Sequence, residues 1–350
     1  MTPAARRGDL NSVANTDEFL TSWGLLAKNV SDTASHNGQQ MTAPKVTFFM
    51  LVTNRDVSIA DYAVKSYQKI YDEFKEELPF VLYIYCNCLK EDIKQKYMPK
   101  WAQYNYVQLF DNYAKTKTMN LRAGETITSP EGVDRLRDGW CENYDELWTS
   151  ELRKFQTDYV ATVDADFEIL SPYFIGDMMD ALESDPQLIG ISSDYSAGGS
   201  QWDSYSGKVL NLAERWNTWF CIYKREAFNC KTSHFYYCEE KANGEILYFD
   251  SSAYFQHRLI TDFGYRFSVV DSKCRDNFIH YGAFSKNKSV TEKNVCLYRQ
   301  AAILRQNGLK IPLLNRTPEL FNKFVNRGAG MFIGTFFNEA ERGRWDFSKD

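Results

Sequence analysis

Two carboxylates separated by one small residue, Asp164 and Asp166 on either side of Ala165, close an apolar run in T-D-Y-V-A-T-V-D-A-D-F-E-I-L, residues 157–170. Carboxylates this close repel each other unless a cation lies between them. Mg2+ and Mn2+ are held in proteins by one or two such carboxylates together with substrate phosphate oxygens. The run before them, Tyr159–Val163, is short, apolar and β-branched, the composition of a buried strand. A buried strand delivers its last residues to the carboxyl edge of an α/β sheet, where ligands bind. The plainer reading is an acidic pair that caps the turn after the strand.

The elements that must position this pair can be read in order. Lys45–Val52 is apolar enough for a central parallel strand and ends in Thr53-Asn54-Arg55. A helix is expected from there to about Phe74, with Ala60, Ala63, Val64, Tyr67, Ile70 and Tyr71 on one face. Phe80–Tyr85 reads as a second strand ending at Cys86-Asn87-Cys88, followed by a helix near Lys90–Tyr97 and a weak strand near Tyr106–Phe110. Asp111–Gly132 is polar and reads as a loop, and Trp140–Phe155 as a helix leading into the D-x-D strand. The Ser196–Ser206 stretch, with Gly198-Gly199, reads as a flexible loop able to fold over substrate. Strand–helix alternation of this kind predicts an α/β fold with a mostly parallel central sheet flanked by helices. The first turn lacks both G-x-G-x-x-G and G-K-[ST], which speaks against a dinucleotide-binding dehydrogenase and a P-loop NTPase.

Composition excludes further classes. The chain has 350 residues and a formal net charge of −5, against a nucleic-acid binder, which normally shows a basic face. No apolar run is long enough to cross a bilayer, and the residues after Arg6 and Arg7 supply no secretory core. The expectation is a cytoplasmic protein, with peripheral membrane contact left open. Eight cysteines without a C-x-x-C pair, and only four histidines, read as reduced thiols rather than a zinc site. Residues 1–44 read as a polar, partly disordered extension, residues 45–300 as the catalytic domain, and residues 301–350 as a C-terminal helical extension or lid.

The alternation into a carboxylate pair resembles the GT-A fold of nucleotide-sugar glycosyltransferases, particularly the family-two-like group, over roughly Val46 to Ser289. Three later segments carry the resemblance further. Arg215–Phe228, R-W-N-T-W-F-C-I-Y-K-R-E-A-F, is similar to the strand before the acceptor-side helix. Asp250–Phe267, D-S-S-A-Y-F-Q-H-R-L-I-T-D-F-G-Y-R-F, resembles the family's E-D…R-L…G-Y-R segment, with Phe249-Asp250 replacing its acidic pair. Phe278–Val290, F-I-H-Y-G-A-F-S-K-N-K-S-V, resembles the segment bearing the late histidine of the metal shell.

The resemblance implies a GT-A type fold, with residues 45–170 as the nucleotide-sugar half and residues 171–300 as the acceptor half. It implies Mn2+ or Mg2+ held by Asp164, Asp166 and His280, with Asp164 also reaching the ribose or a metal-bound water. Thr53, Asn54, Arg55 and Asn87 would meet the nucleobase and ribose, and Lys286 and Lys288 the diphosphate as point charges. Asp250 would be the general base of an inverting single displacement, with Glu239 and Glu240 in reserve. Trp202, Tyr205, Trp216 and Trp219 could stack on sugar or acceptor, although aromatics are more often core and Trp219 most of all. The expected activity is transfer of one sugar from a nucleoside-diphosphate donor, UDP first, to a glycan, lipid-linked or small-molecule hydroxyl. Processive synthesis is disfavoured because Arg215-Trp216 has Leu212 where the Q-x-x-R-W signature has Gln. A retaining enzyme and a catalytically silent sugar-nucleotide or glycan-binding module are the alternatives. Each residue also has a bland reading: Asp250 as a helix N-cap, His280 as a core histidine, Lys286 and Lys288 as solvated loop lysines.

Overall fold

Val46–Val52 forms β1, and all seven of its residues are buried, as its unbroken apolar run requires. The computed structural model describes residues 43–87, 89–112, 119–120, 126–127, 151–203, 208–229, 237–240, 246–249, 252–281, 295–296 and 299. From Pro44 onward these belong to one unit. After β1 come α1 (Val57–Ser66), α2 (Gln68–Phe74), β2 (Phe80–Asn87), α3 (Glu91–Trp101) and β3 (Val107–Asn112). Then follow β4 (Tyr159–Asp164), β5 (Phe167–Ile169), α4 (Tyr173–Ser184) and β6 (Leu188–Ser192). The last elements are β7 (Phe220–Lys224), α5 (Ala253–Phe263), β8 (Arg266–Val269) and β9 (Phe278–His280).

Seven strands make the central sheet, in the order β8-β6-β7-β4-β1-β2-β3. Every neighbouring pair is parallel except those of β7, which runs antiparallel between β4 and β6. This is the expected α/β class. Successive residues of β1 feed two cores. Phe48 and Met50 join Phe167, Phe174 and Phe220 on the face covered by α1, α2 and α4. Phe49 and Leu51 join Tyr83, Tyr85, Tyr223 and Phe255 on the other face, where α5 packs.

The expected helix after β1 is broken at Tyr67 into α1 and α2. Ser66 Oγ donates to the Ala63 carbonyl at 2.6 Å and accepts from the Ile169 amide at 3.0 Å. A serine that bonds back to its own helix bends it, and here the same hydroxyl also fastens the helix to β5. Within the expected 196–206 loop, residues 196 and 199–203 are instead strand. Tyr195–Ser196 pairs with Arg215–Trp216, and Gly199–Asp203 pairs antiparallel with Lys208–Leu212. Gly198 and Gly199 have φ of 75° and 95°, and a Cβ on Gly198 would lie 2.5 Å from the Leu212 carbonyl oxygen. The two glycines lie where the pairing is interrupted between Ser196–Arg215 and Gly199–Leu212, and at Gly198 the opposite strand comes too close for a side chain. Inside the expected Asp111–Gly132 loop, Met119–Asn120 and Thr126–Ile127 form a short ribbon. Gly264 ends α5 in the left-handed region, as the G-Y-R motif implied.

Among the described residues, no helix is long and apolar enough to cross a membrane. Cys86, Cys221 and Cys274 are buried free thiols, and burial pushes Cys86 and Cys221 up to about 12. Residues 1–42, most of the expected helix at 140–155 and residues 301–350 lie outside the described residues.

Candidate metal centre

The site is built at the carboxyl edge of the sheet. β4 lies beside β1 with Asp164 level with Leu51, so the strand carries Asp164 to the point where the first α/β turn begins. The Asp164 amide donates to the Trp219 carbonyl at 2.8 Å, just before β7 starts. Asp166 follows in a turn and is buried, 8% exposed. Phe167 then anchors β5, stacking on Phe220 and on Phe278, each with ring centroids 4.9 Å apart. β5 pairs antiparallel with β9, and that register sets His280 opposite Phe167. The Tyr281 amide donates to the Asp166 carbonyl at 3.0 Å and closes the ribbon over the turn.

These contacts bring three groups from two distant stretches together. His280 Nε2 lies 3.5 Å from Asp164 Oδ2 and 3.3 Å from Asp166 Oδ1. One ligand atom from each of the three residues falls within 4.8 Å of the others. Burial alone would push the His280 imidazole down, but its hydrogen bonds to both carboxylates and their charges outweigh it and raise the group to about 9. Without a metal the imidazolium therefore takes the place of a cation between the aspartates. Two carboxylates and one imidazole suit Mn2+ or Mg2+, with room in the coordination shell for phosphate oxygens and water. The Trp219 ring stacks on His280 with centroids 3.9 Å apart and fixes the plane of the imidazole.

A third carboxylate stands nearby. Asp56, 8% exposed, accepts from Thr53 Oγ1 at 2.5 Å and from the Thr53 amide at 3.3 Å. Burial, reinforced by the charges of Asp166 and Asp164 and opposed by the Thr53 bonds, raises it to about 7.

Other expected site residues take varied positions. Thr53 is buried against Asp56, and Asn54 Oδ1 accepts from the Lys90 amide at 2.8 Å, tying the end of β1 to the start of α3. Arg55 is half-buried. Asn87, at the end of β2 and 1% exposed, accepts through Oδ1 from Asn112 Nδ2 at 3.0 Å. Its own Nδ2 is buried without a hydrogen-bond partner among the described residues. Trp216 stacks on Phe267 at 5.0 Å and lies 5.2 Å from Tyr195. Its backbone is held on both sides by Gln256, at 2.9 and 2.7 Å. Trp202 lies in the Gly199–Asp203 strand. Tyr205, Asp250, Lys286 and Lys288 lie outside the described residues; Glu239 and Glu240 lie in the strand Tyr237–Glu240.

Sequence reading missed three participants. Asp56 stands three residues after Thr53, immediately before an apolar helix, a spacing that could have marked it. Trp219 was weighed as core or sugar platform, and no local signal linked it to His280. Glu168 carries no mark in the sequence that sets it apart from the other acidic residues. It is 2% exposed and bound by Tyr281 and Arg299.

No protein-family model matches the sequence, and no curated protein matches it. Solved structures of loose likeness exist. A mannosyltransferase from Pyrobaculum calidifontis, in complex with GDP-Man and Mn2+, is 11% identical, with 94% of this chain and 86% of that chain covered and a TM-score of 0.39. Glucosyl-3-phosphoglycerate synthase from Mycobacterium tuberculosis, with Mn2+ and UDP-glucose, is 12% identical over 76% of this chain and 80% of that one, at a TM-score of 0.37. A CMP:2-keto-3-deoxy-manno-octonic acid synthetase complexed with CTP is 6% identical over 64% and 88%, at 0.34. Likeness this loose decides neither activity nor ligand.

Proposed function

We propose that the chain is a GT-A type glycosyltransferase that moves one sugar from a nucleoside-diphosphate donor to an acceptor hydroxyl. The observation that carries the reading is the convergence of Asp164, Asp166 and His280 at the carboxyl edge of a mostly parallel sheet. The D-x-D pair alone is common, but an imidazole delivered to it from a separate ribbon makes a three-ligand set that a surface cap would not need. A bound Mn2+ or Mg2+ would supply charge to offset the diphosphate as it leaves.

The chain's own residues then divide the work. Asp164, Asp166 and His280 hold the ion, and Trp219 holds the imidazole. Asn87 Nδ2, buried without a partner among the described residues, donates to a carbonyl of the nucleobase, which uracil, the base expected first, offers as do guanine, cytosine and thymine. Thr53, Asn54 and Arg55 stand beside the ribose. Asp250 removes the acceptor proton in an inverting displacement, and Lys286 and Lys288 contact the diphosphate. Residues 45–170 form the donor half and residues 171–300 the acceptor half. The acceptor is a glycan, a lipid-linked intermediate or a small molecule, and the setting is cytoplasmic, with peripheral membrane contact compatible.

Calorimetric titration of UDP, GDP, CDP and dTDP, with and without Mn2+, tests this on the unaltered protein and on Asp166→Ala. The expected result is Mn2+-dependent binding of one nucleotide that vanishes in the variant. Folded protein that binds none of the four would overturn the reading. Asp250→Asn should then abolish transfer while leaving donor binding intact, and the anomeric configuration of the product distinguishes inversion from retention.

A further inference from the structure

Behind the metal ligands lies a second polar cluster that the proposed chemistry does not use. Glu168 is buried on β5, two residues after Asp166. Arg299 grips it with a fork, Nε to Oε2 at 2.7 Å and Nη2 to Oε1 at 2.6 Å, with Nε also 3.0 Å from Oε1. Tyr281, directly after His280, donates its hydroxyl to Glu168 Oε2 at 2.6 Å. The Arg299 guanidinium also lies 5.0 Å from the centre of the Tyr62 ring on α1. Residues 295, 296 and 299 are helical, and Val295 packs with Ile59, Ile279 and Tyr281.

Stability alone is a weak reason for such a cluster, because apolar residues of similar size often serve as well as a buried ion pair. Position gives a better one. β5 and β9 are three residues each, and a two-stranded ribbon this short has little stability of its own. Its apolar face is fixed by Phe167 and Phe278. Its other face is fixed where Glu168, paired across the ribbon with Ile279, meets Tyr281 and Arg299. Asp166 and His280 each stand within two residues of a member of this cluster.

We propose that Glu168, Tyr281 and Arg299 form a positioning unit that sets the spacing of Asp166 and His280, so that divalent-cation affinity depends on the docking of Arg299. The inference rests on the three-ligand metal site. Outer groups that orient metal ligands typically account for about 10–100-fold in affinity.

The test is Mn2+ titration followed by the electron paramagnetic resonance of the free aquo ion, alongside thermal unfolding, for the full chain and for Arg299→Met, Arg299→Lys and Tyr281→Phe. Lys94→Met, which removes the 2.6 Å ion pair with Asp111 at β3, serves as a destabilised control away from the site. Arg299→Met is expected to weaken Mn2+ binding about 10–100-fold, Tyr281→Phe by less, and Arg299→Lys to recover part of the loss. Bound Mn2+ should show an altered spectrum in Arg299→Met but not in Lys94→Met. Unchanged Mn2+ affinity in folded Arg299→Met overturns the proposal, as does an equal loss in Lys94→Met. Should Arg299→Met not fold, unchanged affinity in both Tyr281→Phe and Arg299→Lys overturns it. Absence of Mn2+ binding by the unaltered protein overturns the metal site itself, and the positioning unit with it.

Discussion

Asp164 and Asp166 on one side, and Glu168 on the other, are acidic residues of one short stretch that meet opposite surroundings. Glu168 is enclosed by an arginine fork and a phenol that satisfy both of its oxygens. The two aspartates share a single imidazole, and their hydrogen bonds and charges hold on that ring, against its burial, a proton that free histidine would lose near neutrality. A carboxylate whose countercharge is covalently part of the chain belongs to the architecture. A pair whose countercharge is an exchangeable proton is prepared to accept a different cation. The partners, rather than the acidic residue type, separate scaffold from site.

The sharpest way to break this contrast is Glu168→Ala. It leaves the part-buried Arg299 without its carboxylate, and a loss of about 3 kcal/mol is expected in urea unfolding of the metal-free protein. A loss below about 1 kcal/mol would remove Glu168 from the architecture. Asp166→Ala should weigh instead on the ion: Mn2+ affinity falls by more than about a hundredfold in calorimetry, while the metal-free protein loses only Asp166's share of the pairing with His280.

The shared proton gives a third expectation. A metal needs the neutral imidazole, so below about pH 9 the ion competes with a proton on His280. Mn2+ affinity should rise by up to about tenfold per pH unit towards that value and then level off. His280→Ala should flatten the dependence. The same raised value means that, without metal, the imidazolium stabilises the fold fully below its unfolded value of about 6.5 and loses that contribution as pH rises through about 9.

Asp56 yields the smallest expected effect, with the opposite origin. Its carboxyl is raised from 3.8 to about 7, so the folded state keeps a proton that the unfolded chain has released, and stability declines as pH rises between those values. Asp56→Asn keeps an oxygen for the two Thr53 donors and removes the charge. In chelator at pH 8 the variant should melt higher than the parent, by on the order of a few kcal/mol at most, and the two should converge near pH 4.

Legibility in the sequence followed the range of the interactions. β1, β2 and β4 were visible because buried parallel strands are continuous apolar runs, and α5 because Gly264 marks its end. Asp164 and Asp166 were marked by the strand end and His280 by the resemblance of its segment, whereas their convergence appears only in the fold. The insertion of β7 between β4 and β6 was not visible, since antiparallel pairing with a distant strand leaves no mark in F-C-I-Y-K. The break at Ser66 depends on an amide of β5, 103 positions away. The stacking of Trp219 on His280 and the fork of Arg299 on Glu168 are likewise products of tertiary approach. Gly198-Gly199 misled for a local reason: positive φ and close approach call for glycine as much as flexibility does.

The Glu168–Arg299 pair joins residues 131 positions apart. A ribosome adding about 5–20 residues per second needs on the order of ten seconds to travel from one to the other. Throughout that interval the emerging chain holds a carboxylate destined for burial with nothing to neutralise it, and the β5 turn has every reason to stay in water. Assembly of the metal edge is thereby deferred until most of the polypeptide has been made. A prematurely terminated product would carry the first strands and the D-x-D motif, yet lack a settled centre with which to sequester metal.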